Sequence, residues 1–130
     1  MSVGLVLVTH NHIGEQLVST AASILKQELP RQVTVSIPAD LQPQMLGKYA
    51  DLVRDAMIRQ DHGHGVLVLT DIYGATPNNL ARHFCAECEA RVVSGVNLPM
   101  LLRVLNYSTQ SLELLCETAV CGGTRGVKKD

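Results

Sequence analysis

The sequence contains no tryptophan, one phenylalanine and three tyrosines, so its core must be assembled from Val, Leu, Ile, Ala and Met. Such side chains suit a buried parallel sheet covered by helices. A surplus of charge is also missing: eleven Lys and Arg stand against twelve Asp and Glu, for a formal net charge of −1. With no basic stripe interleaved with aromatics, nucleic acid is excluded as a partner. No apolar run approaches the roughly 20 residues that a membrane-spanning helix needs, and Met1–Ser2 leads into a strand-like segment without a basic n-region. A cytoplasmic protein with no direct membrane insertion is expected. Neither repeats nor low-complexity linkers interrupt the 130 residues, which read as one domain. A domain of this size buries about two-thirds of its unfolded surface, so it needs no disulfide or metal staple.

What is present alternates between two patterns. Val3–Thr9 is a near-continuous apolar run that ends in His10, Asn11 and His12, a central strand followed by polar loop residues. Leu17, Val18, Ala21, Ala22, Ile24 and Leu25 recur at helical spacing between Ile13 and Gln27, with Pro30 closing the segment. Val33–Ile37 is a short β-branched strand, and Leu46, Tyr49, Ala50, Val53, Ala56 and Met57 mark a second helix that runs out at Gln60–Gly63. Val66–Thr70 is again apolar and ends in the loop Asp71–Thr76. Thr76–Pro77 starts a third helix, with Thr as N-cap and Pro at the first helical position, predicted to run to about Cys88. Arg91–Val96 reads as a fourth strand, Asn97–Leu98–Pro99 as the start of a fourth helix, Ser111–Cys121 as a fifth, and Gly122–Asp130 as a Gly-rich basic tail.

Strands alternating with helices at this spacing predict an α/β fold: an open, doubly wound, mainly parallel sheet of order 2-1-3-4 with helices on both faces. A C-terminal edge strand is allowed by this topology. Ligands of such sheets bind outside the strand carboxyl ends where the order reverses, here between the first and third strands. Those ends are His10 and Asp71. A carboxylate that accepts the Nδ1–H of an imidazole fixes its tautomer and leaves Nε2 as a nucleophile capable of attacking phosphorus. The orphan N–H groups of the helix starting at Thr76, with the Thr hydroxyl, could hold phosphoryl oxygens. Transfer between histidines needs no metal and no cofactor, because dipoles and positioning suffice.

The segments GLVLVTHNHIGEQL, TDIYGATPNNLA and VVSGVNLPMLLRVL resemble, in order and spacing over nearly the whole chain, the three signature regions of the IIA component of the mannose family of the bacterial phosphoenolpyruvate-dependent sugar phosphotransferase system. The resemblance implies that His10 is phosphorylated, that Asp71 orients it, and that Thr76 occupies the family's Ser/Thr position near the phosphoryl group. It further implies a phosphotransferase that accepts phosphate from the carrier protein HPr and passes it to a IIB component for sugar transport, and that works as a homodimer. No linker leads to a fused IIB domain, so IIB is expected on a separate chain. The sequence runs only a few residues past Gly126, where the family often adds an edge strand exchanged between subunits, which argues against the strand-swapped form of the dimer. Asn11–His12 departs from the small residue usual after the active histidine and sets a second imidazole close by. Asn97, beyond the fourth strand, is a support candidate at the rim.

Plainer readings stand beside these. Thr76–Pro77 alone is an ordinary helix cap, and Asp71 alone an ordinary turn residue. His62 and His64 precede the third strand and belong at the opposite end of the sheet from His10. Cys85 and Cys88, one turn apart in a helix, and Cys116 and Cys121 read as small buried hydrophobes in a reducing cytosol rather than zinc or redox ligands. The glycines of the tail lack the Gly-Lys-Ser/Thr end of a P-loop. The alternatives to a transport phosphocarrier are a regulatory module governed by its phosphorylation state and, more remotely, a Cys/His metal or redox protein.

Overall fold

A computed structural model describes residues 2–130. Ten elements follow one another: β1 (Gly4–His10), α1 (Ile13–Leu25), β2 (Gln32–Ile37), a 3-10 turn (Pro43–Met45), α2 (Leu46–Gln60), β3 (Val66–Thr70), α3 (Thr76–Phe84), β4 (Ala90–Ser94), α4 (Leu98–Asn106) and α5 (Leu112–Arg125). The strands form one sheet in the order β2-β1-β3-β4, with all three pairings parallel. Among the described residues no fifth strand follows α5.

The two faces of the sheet are chemically sorted. Because side chains alternate along a strand, the register Leu5↔Leu67 and Val6↔Val68 sends Leu5, Leu7, Leu67 and Leu69 to one face and Val6, Val8, Val66 and Val68 to the other. The leucine face is covered by Ala21 of α1, by Met100, Leu101, Val104 and Leu105 of α4, and by Leu112, Leu115 and Ala119 of α5. Val53 and Met57 of α2, with Ala81 and Phe84 of α3, cover the valine face. Fully burying each of the Val, Leu, Met and Phe side chains contributes about 1.5–3 kcal/mol. That gain holds β1 and β3, which are buried along nearly their whole length, at the centre of the molecule.

Several boundaries differ from the pattern in the sequence. Thr76 is not the N-cap of α3; it is the first helical residue, Ala75 sits at the cap with an extended backbone, and no side chain caps the helix. The turn is closed instead by Asn79, whose Nδ2 donates to the Gly74 carbonyl at 2.9 Å, while Gly74 takes φ of +85°, a conformation that costs glycine little. α3 stops at Phe84 rather than near Cys88, so Cys85 and Cys88 lie in the turn after the helix, not within it. Sheet pairing takes the chain over there, the Glu89 carbonyl accepting from the Val66 N–H at 2.8 Å. β4 ends at Ser94 instead of Val96 because Gly95, at φ +83°, turns the strand toward α4. Gly122–Arg125, read as tail, continue α5. Gly122 and Gly123 are buried against α4: a Cβ on Gly123 would lie 2.8 Å from Met100 Cε, so the glycines permit close helix approach rather than breaking the helix.

Two glycine substitutions probe this packing in opposite directions. A Cβ on Gly4 would run into the Gln60 backbone carbonyl, which cannot swing away, whereas one on Gly47 meets nothing within 4 Å. Gly4→Ala should destabilise by about 1–3 kcal/mol, the usual cost of overpacking. Gly47→Ala, in an exposed helical turn, should stabilise by about 0.4–1 kcal/mol through reduced unfolded-state freedom. Urea unfolding midpoints of the two variants, compared with wild type, check both signs.

Candidate functional site

β1 and β3 are neighbours with Val8 paired to Thr70, so the residues that leave their carboxyl ends meet without any detour. His10 Nδ1 lies 2.8 Å from Asp71 Oδ2, and the same oxygen accepts the His10 backbone N–H at 2.9 Å. Oδ1 of Asp71 accepts the Ile72 N–H at 3.1 Å. The carboxylate is thus held by three donors, and its side chain is 11% exposed against 28% for the imidazole. An ionised carboxylate can only accept, so the Nδ1 proton sits between ring and carboxylate. Nε2 then carries the lone pair. This arrangement can act as a nucleophile and stabilise a positive ring.

The turn that carries His10 is pinned by residues that pattern reading passed over. Buried Thr9 accepts the Gly14 N–H on its Oγ1 at 2.9 Å, and a Cβ on Gly14 would press on that hydroxyl at 3.2 Å. Thr70, at the equivalent end of β3, donates its hydroxyl to Asn78 Oδ1 at 2.9 Å. Both threonines are buried polar residues at the carboxyl end of an apolar strand, one residue before a site residue, which is the signal that could have singled them out.

Other candidates fall into place around this pair. Thr76 lies in the first turn of α3, just beyond the Asp71 loop. Asn97 caps α4 by accepting the Met100 N–H at 2.9 Å and donates Nδ2 to the Gly123 carbonyl at 3.1 Å, so its carboxamide ties α4 to α5. His12 has a carboxylate of its own: Nδ1 is 3.1 Å from Glu15 Oε2, on a side chain 73% exposed. His62 and His64 belong to the turn before β3, at the amino end of the sheet, where Asp61 Oδ1 accepts the N–H groups of Gly63 and Gly65. The four cysteines are free thiols, and among the described residues no three His, Cys, Asp or Glu side chains are grouped as a metal ion requires. A cleft of about 590 Å³ is lined by β4 together with Tyr73, Arg82 and Val120, and His10 is not part of its lining. The imidazole itself is on the open rim of the sheet.

A family model described as the fructose IIA component of the phosphotransferase system matches residues 4–120. The mannose-specific EIIAB component of Escherichia coli K12 is 30% identical over 131 residues, covering 98% of this chain. The chain spans only 39% of the length of that relative. The fructose-specific EIIA component of Bacillus subtilis is 52% identical over 44 residues, 33% of this chain and 30% of its own length. Among solved structures, the mannose/sorbose-specific IIA subunit from Enterococcus faecalis superposes with a TM-score of 0.81 at 26% identity, covering 100% of this chain and 96% of its own.

Matches of that extent place the chain among the IIA components of the phosphotransferase system. Within that class, the chain belongs to the mannose-type IIA family of the sugar phosphotransferase system.

The thiols make a separate, measurable statement. Burial pushes Cys85, Cys88 and Cys116 above the ordinary value of 9.0, with Arg82 and Arg91 drawing Cys85 partly back. A raised pKa means less thiolate at a given pH, so all three should alkylate more slowly in the native protein than in urea at about pH 8, and speed up as pH climbs past the ordinary value. Mass-spectrometric rates of iodoacetamide labelling measure this; faster labelling of the native thiols would contradict the burial argument.

Proposed function

We propose that residues 1–130 act as one phosphocarrier unit in which His10 is the phosphorylated residue. Nε2 of His10 attacks the phosphorus of a phosphohistidine on HPr; the new P–N bond forms as the donor's P–N bond breaks, and the donor ring leaves with the electron pair. Asp71 keeps the Nδ1 proton and stabilises the positive ring while the phosphoryl group is in place. In a second transfer a nucleophile of a IIB component that serves sugar transport attacks the same phosphorus; its bond to phosphorus forms as the His10 P–N bond breaks, and the His10 ring leaves with the electron pair. The observation that carries this reading is the 2.8 Å contact between Nδ1 and Asp71 Oδ2 at the carboxyl ends of the two central strands.

The remaining roles follow from placement. Thr76 and the first-turn N–H groups of α3 supply neutral donors for phosphoryl oxygens, since a helix N-terminus favours an anion. Asn97 supports the rim indirectly through its cap and its bond to Gly123. An acceptor on an open rim suits a phosphoryl group that arrives on another protein, because the partner completes the enclosure. In this reading the protein is a cytoplasmic homodimer that needs neither metal nor cofactor. No described helix is long and apolar enough to cross a membrane.

Incubation with phosphoenolpyruvate, the general phosphotransferase of the system and HPr should put acid-labile, base-stable phosphate on the peptide that contains His10. His10→Ala should abolish the label and His12→Ala should slow it at most modestly. A dead His12→Ala and a fully labelled His10→Ala would reverse the assignment. Asp71→Asn offers an N–H to Nδ1 and favours the wrong tautomer, so single-turnover transfer from phospho-HPr should slow by on the order of 10³- to 10⁴-fold if the pair works as in a hydrolase triad. Thermal melting should move far less; near-normal transfer by a folded Asp71→Asn variant would remove Asp71 from the scheme.

A further inference from the structure

We propose that Asn11 is a positioning residue, which holds the His10 turn in its reactive geometry by clamping it to the chain that leaves β2. This rests on the reading of His10 as the phosphoryl acceptor. β1 ends at His10 and α1 begins at Ile13, so two residues must redirect the chain from strand to helix. Asn11 accomplishes this with φ of +48°, in the left-handed region that most L-residues avoid and asparagine enters most readily. Only one other non-glycine residue, Lys26, has a positive φ among the described residues, and it merely ends α1.

Two hydrogen bonds fix that conformation. The Asn11 N–H donates to the Ile37 carbonyl at 2.7 Å, and Asn11 Oδ1 accepts the Ala39 N–H at 2.9 Å. The first is a backbone bond that almost any residue could make. The second needs a short side chain with an acceptor oxygen, so it is specific to this position. A further strap lies on the same side, where Ser36 Oγ donates to Glu15 Oε1 at 2.9 Å and ties α1 to β2.

The two sides of His10 are therefore restrained from opposite neighbours of β1. Asp71, beyond β3, holds the ring and the His10 N–H; Asn11 reaches toward β2 and fixes the peptide that follows His10. Without the side-chain bond to Ala39 the β2 side is held by backbone pairing alone, and the His10 turn gains freedom to pivot about the Asp71 contact and swing Nε2 off line. In-line phosphoryl transfer is sensitive to such displacement: a misplacement of about 1 Å can cost on the order of a hundredfold in rate. Asn11 touches neither the ring nor the phosphoryl group, so its effect is exerted through the backbone.

A purely structural role and a positioning role separate experimentally. Asn11→Gly keeps the backbone conformation and deletes the clamp; Asn11→Asp tolerates the same φ and keeps an oxygen for the Ala39 N–H. With phospho-HPr as donor, Asn11→Gly should lower kcat by about ten- to a hundredfold while KM stays within about twofold, since docking is untouched. The His10 ring, observed by 15N NMR, should keep its Nδ1–H signature, because the Asp71 contact is the pivot and is retained. Asn11→Asp, assayed at high salt to screen its added charge, should recover kcat to within about threefold of wild type. Unchanged kcat in Asn11→Gly, a change confined to KM, or an Asn11→Asp variant as slow as Asn11→Gly would each overturn the proposal. Should wild-type label appear on a residue other than His10, the phosphocarrier assignment itself fails; normal labelling of His10 with an indifferent Asn11 removes only the clamp.

Discussion

Everything at the candidate site depends on the parallel pairing of β1 with β3. Parallel neighbours point their carboxyl ends the same way, so the residue that follows β3 is delivered beside the residue that ends β1. The register Val8↔Thr70 then sets how far each chain runs before it turns. A shift of one residue would carry Asp71 away from the imidazole, and it would also exchange the leucine and valine faces of β3. The packing that fixes the core and the geometry that fixes the dyad are consequences of one alignment.

Around that alignment the molecule divides its labour. Buried aliphatic strands supply rigidity, and the polar work is done by short turns at their ends. Thr9, Asn11, Thr70 and Asp71 all lie at or just beyond the last residues of the two central strands, and each spends its hydrogen bonds on a backbone group or a neighbouring side chain. The site is built from fixed backbone positions rather than from mobile loops, which is how precise placement of a reacting atom is usually achieved.

How much of this was legible follows from what kind of signal each feature carries. The strands β1 and β3 announce themselves as unbroken apolar runs, and the helices as residues recurring at helical spacing, because burial leaves a local imprint on sequence. Strand order followed from topology rules, and with it the meeting of His10 and Asp71. The misreadings concern features whose cause is distant. Gly122 and Gly123 look like the start of a flexible tail until Met100 and Arg103 of α4 are seen against them. Thr76 has the residue type of a cap, yet the turn is closed by Asn79 from within the helix. The clamp by Asn11 depends on Ala39, 28 residues away, and no spacing rule reports it.

The imidazole and the carboxylate are 61 positions apart in the chain, and the bond from the His10 N–H to Asp71 is part of the joint between the central strands. A polypeptide emerging from the ribosome has its histidine early, but the partner oxygen arrives only after α2 has been made and β3 has docked. Chemical competence is therefore acquired in the same event that closes the middle of the sheet. If His10 is the acceptor we propose, partly folded chains, which present a bare imidazole in an unfixed tautomer, make poor acceptors and leave the phosphate to finished molecules.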